Sequence, residues 1–141
     1  MRYTGSLLVL LFSFLLLTSS TSPSEEEGFW FETKEECMSY AQEEGKNILM
    51  VFSGSDWCKP CMQFKKEVLL SEELAILYLD FPMKKKNRLS EAQTAHNEAL
   101  AEEFNKNGAF PKIILLDAQL NEIKEIKYTR QNTSAFIESL E

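Results

Sequence analysis

The stretch SGSDWCKPC, residues 53–61, separates two segments of different character. Before it, residues 48–52 form a continuous apolar run bounded by glycines, a pattern typical of a strand buried on both faces. After it, apolar spacing predicts a helix over residues 58–70. The nine residues therefore turn a buried strand into a helix. The positions expected to face inward on that helix are Cys61, Phe64 and Val68.

Apolar patterns in the rest of the chain predict helices and strands in alternation. Helices are expected over residues 33–45, 90–108 and 134–140, and further strands over 75–81, 112–116 and 123–128. Thr33 with Glu36, and Ser90 with Gln93, have the spacing of a helix capping box. Alternating strands and helices favour a parallel core, to which the last two strands can add an antiparallel hairpin. The predicted fold class is α/β, with a central mixed sheet of about four to five strands flanked by helices.

Length and charge limit the range of functions. The chain has 141 residues, enough for one compact domain. It carries 15 Lys and Arg against 22 Asp and Glu, a formal net charge of -7. Nonspecific nucleic-acid binding needs a basic surface that neutralises phosphates, so this composition argues against it.

The N-terminal segment has the features of an export signal. Arg2 precedes an apolar run at residues 7–17, and a stretch of small polar residues follows that run. These features are typical of a secretory signal peptide, and the run is shorter than the roughly 20 residues of a membrane-spanning helix. We expect a signal peptide at 1–22, a polar leader at 23–30 and one domain at 31–141.

The chemistry is expected at the pair Cys58 and Cys61. A helix N-terminus has free N–H groups and a partial positive charge, which lower a thiol pKa from about 8.5 to about 3.5–7.5. Cys58 lies at that end and is the expected nucleophile, while Cys61, one turn further along, would resolve the mixed disulfide. Lys59 adds a cation, and Pro60, which lacks an N–H, fixes the first turn.

Two other interpretations of a C-x-x-C pair remain open. It could be half of a zinc site, for which the further ligands would have to come from Cys37 and His96. It could also be an inert structural disulfide, although so short a loop contributes little stability. We expect no metal, and we expect Cys37 to be a small core residue.

Residues 57–61, WCKPC, resemble the W-C-x-P-C signature of the thioredoxin superfamily, and residues 46–70 resemble exported bacterial thioredoxin-like proteins. The similarity covers roughly residues 29–141. It implies a thioredoxin-like three-layer fold. A Trp beside an active cysteine commonly offers apolar contact surface to a partner, and the alternative for Trp57 is a packing role.

A second landmark is GAFPK, residues 108–112, which precedes a strand as does the cis-proline loop of thioredoxins. The resemblance implies that Pro111 is cis and that the loop of Phe110 and Pro111 lies against the cysteine pair and binds an extended substrate segment. One position departs from the family pattern. Thioredoxins often carry a buried Asp six residues before the first cysteine, and Phe52 stands there, so another group or water would take the proton of Cys61.

The expected function is thiol–disulfide oxidoreduction. The resemblance favours a reductase or exchange protein of the bacterial periplasm that acts on cysteine-containing exported proteins. It would be a monomer re-reduced by a membrane thiol–disulfide donor, with no cofactor beyond Cys58 and Cys61. The alternatives are a non-catalytic binding module and a disulfide oxidase or isomerase.

Overall fold

The central sheet of the protein has five strands in a computed structural model that describes residues 29–67 and 74–141. The strands are β1 Trp30–Phe31, β2 Ile48–Ser53, β3 Ala75–Asp80, β4 Lys112–Leu116 and β5 Glu122–Ile126. The helices are α1 Lys34–Glu44, α2 Lys59–Glu67, α3 Glu91–Phe104 and α4 Thr133–Glu138. The strand order is β1-β3-β2-β4-β5. The α/β class and the mixed sheet are confirmed.

Strand β2 lies at the centre of the sheet and is buried along its whole length. It pairs parallel with β3, where Ser53 is opposite Asp80, and antiparallel with β4, where Phe52 is opposite Lys112. This register brings the end of β2, the end of β3 and the start of β4 to one edge of the sheet. The turn at residues 53–61 leaves β2 at that edge.

Helices pack on both faces of the sheet because β2 alternates its side chains between them. Leu49 and Val51 belong to one core cluster, together with Phe64 of α2 and Phe136 of α4. The other cluster contains Ile48, Met50, Phe52, Cys37 of α1 and Leu100 of α3. Cys37 is fully buried, which confirms the core position predicted for it.

The short strand β1 was not expected. Trp30 pairs with Ile76, and its ring lies 5.2 Å from that of Tyr78, so the boundary placed after residue 30 falls inside this strand. Two residues are too few to show the period-two alternation that identifies a strand in sequence.

The two predicted capping boxes differ in outcome. Ser90 Oγ accepts a hydrogen bond from the backbone N–H of Gln93, as expected. Thr33 Oγ1 instead donates to the Glu36 side chain and makes no bond to the helix backbone. The first N–H of α1, that of Lys34, donates to His96 Nε2 of α3.

The other predicted elements agree with the structure to within a few residues at their ends. The predicted signal peptide, most of the leader and the end of the second helix, including Val68, lie outside the described residues. Among the helices of residues 29–67 and 74–141, none has the length and apolar character needed to cross a membrane.

Candidate active site

Cys58 and Cys61 form a disulfide at the junction of β2 and α2, with their Cα atoms 5.2 Å apart. Cys58 is 5% exposed and Cys61 is 1% exposed. The backbone N–H of Cys61 donates to Cys58 Sγ over 3.3 Å. The Cys58 sulfur therefore already receives an N–H group of the first helical turn, the type of group that stabilises a thiolate.

Lys59 and Pro60 occupy the first two positions of α2. Lys59 is exposed and Pro60 is half-buried. Pro60 adopts helical geometry where no intrahelical N–H bond is needed, so it stiffens the turn at no cost in hydrogen bonds.

The turn between β2 and α2 is held by the neighbouring strand. The Ser55 backbone N–H and Oγ–H both donate to the Asp80 carboxylate, over 2.8 and 2.6 Å. The Cys58 N–H donates to the Gly54 carbonyl over 2.9 Å. Asp80, at the end of β3, thus anchors the turn that presents Cys58.

Trp57 lies across this turn and is 40% exposed. Its Nε1–H donates to the Phe81 carbonyl over 2.7 Å. Its ring also packs edge-on against Phe110, with centroids 5.2 Å apart. A Cβ on Gly54 would lie 2.2 Å from the indole, so this position accepts only glycine while Trp57 stays in place.

The Phe110–Pro111 peptide bond is cis, as the resemblance implied. Because Lys112 is opposite Phe52, Pro111 lies at the end of β2 where the active-site turn begins. The preceding loop is held by buried Asn105, which donates to the Ala109 carbonyl and accepts from the Ala109 N–H. The structure therefore brings the turn and the proline loop to the same edge of the sheet.

Phe52 packs in the cluster with α1 and α3, on the face opposite α2. The next residue of β2, Ser53, directs its hydroxyl to the face of the sheet that carries α2. Ser53 is 1% exposed, and its Oγ accepts a 2.6 Å hydrogen bond from the Tyr78 hydroxyl. Burial raises the pKa of Tyr78, so the hydroxyl keeps its proton at neutral pH. This pair is the buried polar contact at the active-site end of β2.

Asp56 connects the active-site turn to a loop that lies 27 to 31 residues further along the chain. Its carboxylate accepts hydrogen bonds of 2.9 Å from the backbone N–H groups of Met83 and Lys84 and from the Asn87 side chain. The Met83 N–H is the largest of the effects that lower the Asp56 pKa, so Asp56 is ionised at neutral pH.

Sequence reasoning missed Asp56 and Asp80, because their partners lie 25 or more residues away along the chain. It also missed Asn105, although its partner Ala109 is only four residues away. The residues considered for a zinc site have other surroundings. Cys37 is sealed in the core, and His96 Nε2 accepts from Lys34. Within residues 29–67 and 74–141, no three His, Cys, Asp or Glu side chains are grouped as metal ligands.

Comparison with known proteins identifies relatives of the chain. The family model of the thioredoxin-like domain matches residues 35–138. The disulfide bond reductase DsbH of Chlamydia pneumoniae is 26% identical over 125 residues, which cover 83% of this chain and 74% of that protein. The thioredoxin-related protein DsbJ of the same organism is 30% identical over 125 residues, 84% of this chain but only 36% of DsbJ.

Solved structures share the fold. A structure of a DsbH oxidoreductase superposes with a TM-score of 0.70 at 24% identity, over 87% of this chain and 89% of that one. A thioredoxin from Thermus thermophilus superposes with a TM-score of 0.56 at 16% identity, over 80% and 84%. The chain therefore belongs to the thioredoxin-like family, and it is a thiol–disulfide oxidoreductase.

Proposed function

We propose that the protein reduces disulfide bonds in exported proteins, with Cys58 as the attacking thiolate and Cys61 as the resolving thiol. The observation that carries this proposal is the Cys61 N–H directed at Cys58 Sγ at the start of α2. In the reduced protein, the same N–H would stabilise a negative charge on that sulfur and lower its pKa.

The proposed reaction has two exchanges. The Cys58 thiolate attacks one sulfur of the substrate disulfide, and the other substrate sulfur leaves as a thiolate. The Cys61 thiolate then attacks Cys58 Sγ, which releases the second substrate thiolate and forms the Cys58–Cys61 disulfide. Two electrons pass to the substrate, and the two cysteines need no other cofactor.

The loop of Phe110 and cis Pro111 is the proposed binding site for an extended substrate segment. Support comes from its position at the active-site edge of the sheet and from the contact between Phe110 and the exposed Trp57. Trp57 offers apolar surface to the residues next to the substrate cysteine.

The direction of electron flow is proposed from two observations. The WCKPC sequence resembles reducing members of the superfamily, and a relative carries the name disulfide bond reductase. Reduction of exported proteins requires a site outside the cytoplasm, which fits the predicted signal peptide at residues 1–22. We propose a periplasmic monomer that receives electrons from a membrane thiol–disulfide transporter.

An insulin-reduction assay with dithiothreitol as the electron source tests this function. We expect C58S to abolish the activity. C61S, reduced beforehand and freed of dithiothreitol, should accumulate a mixed disulfide with insulin through Cys58. C37S is the matched control and should keep the activity, because Cys37 is buried in the core. Full activity of C58S would contradict the assignment, and an inactive parent protein that still binds a partner would favour a binding module.

Equilibration of the Cys58–Cys61 pair with glutathione buffers tests the direction. We expect a reduction potential nearer to the value of about -270 mV found for thioredoxin than to the value of about -120 mV found for DsbA. A potential close to the second value would identify an oxidase instead.

A further inference from the structure

The most concentrated positive charge near the active site lies at residues 84–88, Lys-Lys-Lys-Asn-Arg, here called the basic loop. Four of its five residues are cationic, in a chain whose formal net charge is -7. All five are exposed. Among the described residues, none of these four cations forms an ion pair. Lys84 attracts the neighbouring Asp56 carboxylate, and the exposed cationic side chains leave positive charge available to a partner.

The basic loop is fixed against the active-site turn. Asp56, two residues before Cys58, accepts hydrogen bonds from the backbone of Met83 and Lys84 and from the Asn87 side chain. Residues 85–87 form a single 3-10 turn, which is closed by the Asn87 N–H on the Lys84 carbonyl. The cationic side chains consequently start from a backbone position that is fixed beside the active-site turn.

A cleft of about 730 Å³ lies between this region and the active-site turn. Trp57 and Phe110 line it on the active-site side, and Pro82, Met83 and Leu89 line it beside the basic loop. Met83 is 76% exposed, so apolar surface continues to the rim. Helix α3 adds Glu91 and Glu98 to the cleft, and these carboxylates would repel an anionic group placed inside it.

We propose that the preferred substrates carry acidic residues beside their reducible cysteine, with an apolar neighbour in the cleft and the acidic residues over the basic loop. This inference rests on the proposed disulfide reduction and names its substrate class. Fixed opposite charges steer a partner into its productive orientation and raise the association rate, most strongly at low salt. The net charge alone predicts the reverse preference, because a protein of charge -7 should favour basic partners.

The test measures only the first exchange, in which Cys58 attacks the substrate. The C61S variant is used because it lacks the thiol that performs the second exchange. Three peptides share one cysteine and one apolar neighbour, carry Asp, Asn or Lys on both flanks, and bear thionitrobenzoate on the cysteine. The Cys58 thiolate attacks the peptide sulfur, one S–S bond forms as the other breaks, and the released thionitrobenzoate anion is measured by absorbance. Rates with 2-mercaptoethanol correct for the intrinsic reactivity of each peptide.

We expect the Asp peptide to react about tenfold faster than the Lys peptide at about 20 mM salt, and this ratio to shrink at about 500 mM. K84Q/K85Q/K86Q should lose the preference. The matched control K66Q/K106Q/K124Q changes the net charge equally and should keep it. Lys66 lies in the last turn of α2, Lys106 follows the far end of the 14-residue α3, and Lys124 pairs with Leu115, towards the end of β4 that is remote from the active-site turn.

Either of two results with the peptides would overturn the acidic-substrate proposal while leaving disulfide reduction intact. One is equal corrected rates with all three peptides, and the other is an equal loss of preference in both lysine variants. Binding to anionic lipid vesicles that requires Lys84, Lys85 and Lys86, without any peptide preference, would likewise overturn it in favour of a membrane surface. Failure of every peptide to react would instead reject the proposed function.

Discussion

Asp56 Oδ2 accepts a 2.9 Å hydrogen bond from the backbone N–H of Lys84, 28 residues further along the chain. This bond links the active-site turn to the basic loop, and the Trp57 indole donates to the carbonyl of Phe81, three residues before that loop. The two contacts come from adjacent residues of the turn. The position of Trp57 beside the disulfide and the position of the basic loop therefore depend on the same few bonds.

Replacing Asp56 with alanine should loosen the loop. D56A removes the acceptor of the Met83 and Lys84 N–H groups, so we expect these two amides to exchange with deuterium at least about tenfold faster than in the parent. Amide exchange followed by NMR measures this. D117A is the matched control, because Asp117 similarly accepts from the Gln119 and Asn121 N–H groups in the turn between β4 and β5. Unchanged exchange at Met83 and Lys84 in D56A would contradict the prediction.

Replacing Gly54 with alanine should displace Trp57. The new Cβ would lie 2.2 Å from the indole, and relief of such overpacking costs about 1–3 kcal/mol. We expect about 1 kcal/mol in urea unfolding, because Trp57 is partly exposed and can move, together with a shifted indole N–H resonance as its bond to Phe81 breaks. In a W57A background the same substitution should cost much less. An equal loss of stability in both backgrounds would show that the new Cβ clashes with a group other than Trp57.

Replacing Tyr78 with phenylalanine should destabilise the core. Y78F leaves the buried Ser53 Oγ without its 2.6 Å donor, and we expect a loss of about 1 kcal/mol. Urea unfolding of Y78F, S53A and the double variant measures the coupling, which should make the double variant less costly than the sum of the single ones. Y128F is the matched control, since the Tyr128 hydroxyl makes a 3.4 Å contact at the surface, and it should change stability by less than about 0.5 kcal/mol. Strict additivity of Y78F and S53A would contradict the coupling.

The Cys37 thiol should be inert in the folded protein. Burial raises its pKa to about 12, so it stays protonated up to strongly alkaline pH. With Cys58 and Cys61 oxidised, we expect no reaction with Ellman's reagent at pH 8, and one thiol after denaturation. Rapid labelling of the native protein would contradict this burial.

The same raised pKa predicts how stability depends on pH. The unfolded thiol ionises near pH 8.5 and the folded one near 12, so the contribution of Cys37 is complete below the first value and declines as pH rises between them. Unfolding of the parent and of C37A at pH 7.5 and pH 10 isolates this effect. The parent should lose more stability than C37A across that interval, and an equal loss would contradict the prediction.

Local patterns in the amino-acid sequence were enough to predict the β2–turn–α2 unit and, within one residue, the start of α2. They also indicated the inward positions of Cys61 and Phe64, the core position of Cys37 and the mixed sheet. These features follow from contiguous patterns: an apolar run, a glycine, and apolar residues at helical spacing. The cis bond at Pro111 was expected only through the family resemblance, because local sequence does not specify the isomer.

The contacts that hold the active-site turn depend on how the strands pair and how the chain returns between them. Ser55 bonds Asp80 because β2 pairs with β3, and Asp56 bonds Lys84 because the chain leaving β3 returns beside the turn. The same pairing of β2 with β3 places the Tyr78 hydroxyl 2.6 Å from the buried Ser53 Oγ. The local sequence around an Asp or Ser in a polar loop is the same whether or not a hydrogen-bond partner lies beside it in the folded protein. The partner's position is fixed by strand register and helix packing, which no short stretch of sequence contains.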